Sequence, residues 1–397
     1  MDSLLEKSEK KIKAISPGFQ RSLMDNMAWN ARLIGIRGAR GVGKTTMMLQ
    51  YLQKYTQNPS ERLYVSLDDL WFSENKLVDL ANAFVKRGGK YLFIDEVHKY
   101  NNWSQEFKNI YDDYPELQVV FTGSSLLEII NARADLSRRA IHYNMQGLSF
   151  REYLNLTENK QFPIFELTDI LTNHQQAALS ITEEIKPLKY FSTYLKSGYY
   201  PFFLEDELLY HSKVAEVVNF ILEVELPLLR KMDIAYVHKI KQLLQIIARS
   251  VPFKPNVSKL SQKIQINRNT LVSYLHFLNE SRLTINLFRD TYGISQLQKP
   301  EKIYLENTNL SYALHGNEAD KGNLRETFFI NQLKNKNHIT YTDNGDFMID
   351  EKLTFEIGGK NKTNKQIKDV ENAFTVLDDI EIGNHNRIPL WLFGFLY

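Results

Sequence analysis

The chain has no cysteine at all, which excludes disulfides, thiolate metal sites and cysteine nucleophiles and fits a reducing cytoplasm. It also lacks an excess of charge: 49 basic against 47 acidic side chains leave a formal net charge of +2. Any contact with nucleic acid must therefore come from local patches. No apolar run approaches the roughly 18 residues that a membrane helix needs, and residues 1–15 mix Glu with Lys around no apolar centre. These absences point away from secretion and from membrane partners and towards a cytoplasmic protein. The nine histidines are dispersed without a pair at a spacing such as H-x-x-x-H, so zinc is not expected. With 397 residues, 43% of them apolar, the chain can bury more than one core, and about two to four domains are expected.

What is present is more specific. Gly38-Ala39-Arg40-Gly41-Val42-Gly43-Lys44-Thr45 fits the phosphate-loop pattern G-x-x-x-x-G-K-[ST] at every fixed position. Glycines at 38, 41 and 43 permit positive φ and carry no Cβ to hold the backbone away, so successive N–H groups can point at an anion. In such a loop the lysine, Lys44, reaches the β and γ phosphates of ATP, and the hydroxyl of Thr45 holds Mg²⁺; Ala39, Arg40, Val42 and Thr46 complete the binding stretch. The flanks agree, because Leu33-Ile34-Gly35-Ile36 reads as a buried strand and the apolar spacing from Thr45 to Leu52 reads as a helix. The N-terminus of that helix then faces the phosphates.

A second apolar strand, Tyr91-Leu92-Phe93-Ile94, ends in Asp95-Glu96, with Asp95 placed 51 residues after Lys44. This is a Walker B pattern. It predicts that Asp95 joins Thr45 in the Mg²⁺ shell and that Glu96 orients or deprotonates the attacking water. The strand Gln118 to Thr122 runs into Gly123-Ser124-Ser125. Ligands gather at the carboxyl ends of parallel strands, so Thr122, Ser124 or Ser125 is a candidate for the γ-phosphate or water, with a helix cap as the alternative for either serine. Arg133, Arg138 and Arg139 follow, of which Arg138 and Arg139 are candidates for an arginine that acts on the phosphoryl group across a subunit boundary.

Together, GARGVGKTT, YLFIDEVHKY, the helix from Trp103 to Asp112, VVFTGSS and LSFREYL resemble an AAA-type ATPase. The resemblance is greatest to prokaryotic members that join this core to a winged-helix segment and a C-terminal domain similar to PD-(D/E)XK nucleases. It implies an α/β fold, a P-loop NTPase with a five-stranded parallel sheet, using strands near 33–37, 62–66, 91–95, 118–122 and 140–143. The expected organisation is a core over 1–155, a helical extension over 156–240, a winged-helix-like segment over 241–298 and an α/β nuclease-like domain over 299–397.

Within the later segments, Leu156 to Pro187 is polar with weak periodicity, whereas Val214 to Leu229 has helical apolar spacing that suits a core stripe. From Val257 to Phe288 two short helical patterns flank a polar turn, with Ser258 as a cap for the first helix and Asn267 or Asn269 for the second. Residues 281–288 alternate like the strand of a wing. The exposed second-helix set, Arg268, Asn269, Ser273, His276 and Asn279, holds one permanent cation, so DNA binding and a protein-contact or scaffolding role both stay open.

In the last hundred residues Glu326, Asp346 and Glu356 suggest a metal site. In the nuclease family an Asp and a Glu hold Mg²⁺ and a Lys two positions after the Glu assists water; here Gly358 stands at that place and Lys360 is the nearest candidate. A bulge at the glycines would be needed to bring it back, so a retained fold without cleavage is the favoured reading. Lysines 352, 360, 362, 365 and 368 form the best basic cluster, either a phosphate contact or a solvated loop. The functional expectation is an ATPase with ATP and Mg²⁺ as ligands, whose hydrolysis switches C-terminal modules that contact DNA or protein, with a homo-oligomer or protein partner. The alternatives are an ATP-regulated nuclease and a non-hydrolysing scaffold.

Overall fold

The computed structural model describes residues 1–123, 136, 138–230, 232–289, 299–316 and 320–397, which form two compact units, Met1–Gly147 and Leu148–Tyr397. In the first unit helix α1 (Asp2–Ala14) precedes β1 (Leu33–Arg37), α2 (Lys44–Tyr55), β2 (Arg62–Ser66), α3 (Leu77–Lys86), β3 (Tyr91–Asp95), α4 (Trp103–Asp113), β4 (Gln118–Gly123) and β5 (Ile141–Asn144). The five strands are all parallel in the order β2-β3-β4-β1-β5. This is the P-loop NTPase sheet, with β1 and β3 on either side of β4, so the loops after β1 and β3 open at the same edge.

Strands β1 to β4 are largely apolar because the sheet is covered on both faces there, whereas the edge strand β5 is partly exposed. Leu92 and Ile94 point into a core with Leu77, Leu80, Phe84, Phe107 and Ile110 from α3 and α4. Phe93, between them in sequence, faces the other way and stacks on Tyr51 of α2, which lies 3.8 Å from the ring of Trp29. The open edge at β2 is protected by α1, whose Ser8 hydroxyl accepts the Tyr64 N–H at 2.9 Å and whose Glu9 pairs with Arg62.

The second unit begins with α5 (Phe150–Glu158), set by a reciprocal capping box between Ser149 and Glu152. Helix α6 (Leu167–Thr182) follows within the expected helical extension, in its weakly periodic part; a non-helical Asn173 and a buried His174 interrupt its stripe. Then come α7 (Pro187–Ser197), α8 (Tyr210–Phe220) and α9 (Val237–Ala248). The helical stripe expected from 214 to 229 is one helix, a π-turn over Ile221–Glu225 and a second short helix.

Helices α10 (Val257–Ile264) and α11 (Arg268–Glu280) lie across a tight turn, and β6 (Thr284–Leu287) pairs antiparallel with β7 (Lys302–Leu305). Asn256, not Ser258, caps α10 with a bond to Lys259 N–H, and Asn267 caps α11. After α12 (Thr308–His315) and α13 (Lys321–Leu333) come β8 (Ile339–Thr340), β9 (Phe347–Ile349), β10 (Leu353–Gly358), β11 (Ala373–Leu377) and β12 (Arg387–Pro389). They form a mixed sheet in the order β12-β11-β10-β9-β8, parallel from β10 to β12 and antiparallel from β8 to β10, with α13 packed against it.

Candidate functional site

The loop between β1 and α2 has the backbone that its glycines allow. Gly41 and Gly43 take φ of 84° and 97°, and Gly43 is the left-handed residue from which α2 starts. Gly38 serves a different need, since a Cβ there would lie 2.4 Å from the carbonyl oxygen of Met145. The buried Lys44 ammonium donates to the carbonyls of Gly38 and Ala39, both at 2.9 Å. It therefore lies across the mouth of the loop, on oxygens that a phosphate group can replace.

Asp95 gathers the neighbouring elements. One carboxylate oxygen accepts the Thr45 hydroxyl at 2.5 Å and the Tyr64 hydroxyl at 2.9 Å. The other accepts the Thr122 hydroxyl and, at 3.1 Å, the backbone N–H of Glu96. Strands β2, β3 and β4 and the start of α2 thus meet on one buried side chain. Burial, followed by the nearby Asp95 charge, pushes the Tyr64 phenol far above its ordinary range, so Tyr64 stays a donor. Thr122 spends its hydroxyl on Asp95; Ser124, Ser125 and Arg133 lie outside the described residues.

Glu96 sits just past β3 with φ 55° and ψ 43°, a left-handed conformation rarely adopted by a residue with a long side chain. Such a conformation costs of order 1–3 kcal/mol and is held only where surrounding contacts fix it. Here the contacts are the bonds of its N–H to Asp95 and Thr122 and the approach of its carboxylate to His98 Nε2 at 3.3 Å. Burial, reinforced by the charges of Lys99, Lys44 and Arg40, lowers the His98 pKa to about 4. At neutral pH His98 is an uncharged neighbour of Glu96.

Three contributors were given no role by the sequence: Tyr64, Arg21 and His98, the last lying within the YLFIDEVHKY stretch. The buried Arg21 guanidinium donates to the carbonyls of Val42 at 2.6 Å and of Gln146 and Gly147 at 2.8 Å each. It ties the phosphate loop to the segment after β5. Only a side chain with several donors in a rigid fork can do this, but nothing in the local sequence marks it. Of the arginines considered for phosphoryl contact, Arg139 is held by Asp112 through two bonds of 3.0 Å and Arg138 is exposed in the turn before β5.

In the second unit Glu326, Asp346 and Glu356 interact electrostatically, yet each is already engaged. Tyr304 donates to Glu326 at 2.7 Å, the Ile357 N–H donates to Asp346 at 2.8 Å, and Lys362 pairs with the buried Glu356 at 2.5 Å. With its amide oriented to donate, Gln366 also lies 2.6 and 3.0 Å from the two Glu356 oxygens. Among the described residues no group of three such side chains is spaced to hold a metal ion. Lys360 does not reach Glu356; Lys362 does, because a Gly359 to Lys362 turn folds its stem over Gly358.

Burial, and then repulsion by Asp346, push the Glu326 carboxyl from 4.5 up to about 7, against the opposing pull of the Tyr304 hydroxyl and Lys302. A native pKa above the unfolded one means that the folded state holds this proton more tightly. The resulting stabilisation is complete below pH 4.5 and is lost as pH rises through 7. Glu326→Gln, neutral at every pH, is expected to match wild type near pH 4 and to exceed it by about 2–3 kcal/mol at pH 8. Urea unfolding at the two pH values measures this, and parallel pH dependences would remove the assigned cause.

The remaining expected surface is partly occupied. In α11, Asn279 accepts the Asn286 N–H and His276 stacks on Phe288, so these two face the hairpin rather than solvent. Arg268 and Asn269 stay exposed. Among the described residues no helix is long and apolar enough to cross a membrane.

Comparison with known proteins places these observations. Residues 30–154 match the family described as AAA domain, and residues 188–321 match a domain of unknown function. An uncharacterized protein of Methanocaldococcus jannaschii, MJ1637, is 28% identical over 68% of this chain and 60% of its own length. The chain thus spans less than two thirds of that relative. A second uncharacterized protein of the same organism, MJ1544, is 23% identical over 95% of this chain and 85% of its own. The Walker-type ATPase PABY2304 of Pyrococcus abyssi aligns with a TM-score of 0.44 and 12% identity, covering 75% of this chain and 95% of that one. With the glycine-rich loop after β1, the acidic pair after β3 and a five-stranded parallel sheet, residues 30–154 have the P-loop NTPase fold and match the AAA domain family.

Proposed function

We propose that the first unit binds ATP with Mg²⁺ and hydrolyses it, and that hydrolysis is coupled to the second unit. The observation that carries this reading is the 2.5 Å contact between the Thr45 hydroxyl and Asp95, beside Lys44 in a loop with positive φ at Gly41 and Gly43. A P-loop hydroxyl and a carboxylate at the end of the neighbouring strand are the two protein ligands that Mg²⁺ takes in this class of site. The donor set fits, since a hard cation favours oxygen ligands. Bound Mg²⁺ would neutralise charge on the phosphates.

The chain's own groups do the rest. Backbone N–H groups of the loop from Gly38 to Thr46 hold the phosphate tail, and Lys44 shifts its ammonium from the carbonyls of Gly38 and Ala39 to the phosphate oxygens. Glu96 orients a water and takes its proton, and neutral His98 fixes the carboxylate without lowering its basicity by a full charge. Arg138, unlike the paired Arg139, remains the better candidate to act in a neighbouring subunit.

For the second unit, the order helix, turn, helix, antiparallel hairpin supports a winged-helix reading, with Arg268 and Asn269 as the DNA-facing residues. Cleavage by the C-terminal sheet is disfavoured by the engagement of Glu326 with Tyr304 and of Glu356 with Lys362. Calorimetry with Mg-ATP tests the central claim. Lys44→Ala is expected to weaken binding by about 10- to 100-fold, the value of one or two charge-assisted contacts. Absence of any heat with folded wild-type protein would overturn the reading.

A further inference from the structure

The C-terminal sheet carries a cavity that the ATPase reading does not use. Its volume is about 500 Å³, and it is lined by Lys360, Lys362, Asn364, Thr375, Asn386 and Arg387 among others, all of them polar. No carboxylate lies in its described lining. A drug-sized apolar ligand selects hydrophobic walls; three cations with amides and hydroxyls select an anion that itself offers many acceptors.

The position of each group follows from the strands. Glu356 on β10 pairs in register with Thr375 on β11, and Thr375 pairs with Arg387 on β12. Register partners in parallel strands share a face, so these three form a row across the sheet. The turn after β10 returns Lys362 to this row. It can do so because residue 358 is glycine: a Cβ there would lie 2.5 Å from both Cβ and Cγ of Lys362. Lys362 neutralises Glu356 at 2.5 Å; burial is the largest single influence on its ammonium and lowers the pKa, but Glu356 together with the charges of Asp346 and Glu326 raises it on balance. Arg387 donates to the carbonyls of Lys360 and Lys362 at 3.3 and 3.4 Å, bracing the turn while keeping its charge.

Among the described residues the Lys360 ammonium and the Thr375 hydroxyl have no partner. Lys360 is exposed and makes no ion pair among the described residues. The Thr375 hydroxyl is buried, with its residue only 1% exposed, and has no hydrogen-bond partner. A buried hydroxyl without a partner costs about 1–3 kcal/mol, and a rotation about χ1 that turns it into the adjoining cavity would let a ligand oxygen recover it.

We propose that this cavity binds the phosphate group of a nucleotide-sized organic phosphate, with Lys360 and Arg387 as its cationic contacts and Thr375 as a neutral donor at its floor. The phosphate comes either from a free mononucleotide or from the end of a nucleic-acid strand. This site is separate from the Gly38 to Thr46 loop and does not depend on ATP hydrolysis.

The test uses the full chain carrying Lys44→Ala, so that the phosphate loop competes weakly, and two probes: thymidine 3′,5′-bisphosphate and a 5′-phosphorylated thymidine hexamer. Binding of the bisphosphate points to a free nucleotide, and binding of the hexamer alone to a strand end. In either case Lys360→Ala with Arg387→Ala is expected to weaken binding by about 10- to 100-fold. For the hexamer it should also reduce the slope of log K against log salt by about 1–1.4. Thr375→Val, which replaces an unpartnered hydroxyl with a methyl of the same shape, should weaken binding severalfold without lowering the melting temperature. Lys360→Glu serves as a check should loss of Arg387 loosen the turn. Failure of both probes to bind at low salt, or binding unaffected by Lys360→Glu and Thr375→Val, overturns the proposal, whatever the behaviour of the ATP site.

Discussion

Replacing Glu96 by Gln is expected to cut ATP turnover by about 10²- to 10⁴-fold while Mg-ATP stays bound. The substitution preserves shape and the left-handed backbone, because the N–H of residue 96 keeps its bonds to Asp95 and Thr122. The hydroxyls of Thr45, Tyr64 and Thr122 still converge on Asp95, so the metal-binding side of the site is unaltered. What is lost is the ability to accept a proton from water. His98 is a poor substitute, since burial and the neighbouring cations lower its pKa to about 4 and make it a weak base at neutral pH. Steady-state phosphate release and equilibrium binding, measured on the same preparation, separate the two effects. Equal turnover in wild type and Glu96→Gln would strip Glu96 of its role; joint loss of turnover and binding would assign it to nucleotide capture instead.

How much of this was visible in the sequence depends on whether a feature is local. The phosphate loop and the Asp95-Glu96 pair are local: glycine at 41 and 43 answers a backbone requirement within a few residues, and Tyr91 to Ile94 is apolar throughout because both faces of the strand are covered. Tyr64 is the opposite case. Its role depends on β2 lying beside β3, so a tyrosine in an ordinary strand pattern becomes a donor to Asp95 only through strand order. The bounds of helix α6, inside the expected helical extension, are obscure in the sequence for another reason. Ile170, His174, Ala177, Ala178 and Ile181 do form a buried stripe, but a histidine that bonds to the His385 carbonyl occupies one apolar place and Asn173 breaks the period. Lys362 was hidden by a turn: strand alternation ends at Gly358, and only the returning backbone brings that lysine, rather than Lys360, to Glu356.

Arg21→Ala is expected to be the most damaging single change to the first unit. It removes a guanidinium that donates to three carbonyls, those of Val42, Gln146 and Gly147. Each bond from a charged donor is worth about 1.5–3 kcal/mol, and buried carbonyls left unsatisfied carry a further cost. The three bonds share one side chain and do not add fully, so a loss of about 3–5 kcal/mol is expected. For a unit of this size that corresponds to a fall of roughly 6–20 °C in melting temperature. Because Val42 lies inside the phosphate loop, affinity for Mg-ATP should fall with it. Arg21→Lys separates the two consequences: an ammonium presents its three donors from a single nitrogen and cannot span the fork that reaches all three carbonyls, so the variant should stay folded at 25 °C and still bind ATP more weakly than wild type. Thermal melts with and without Mg-ATP read both quantities. If Arg21→Lys binds ATP as wild type does, the guanidinium supports the fold alone, and the loop keeps its shape through Gly38, Gly41 and Gly43 without it.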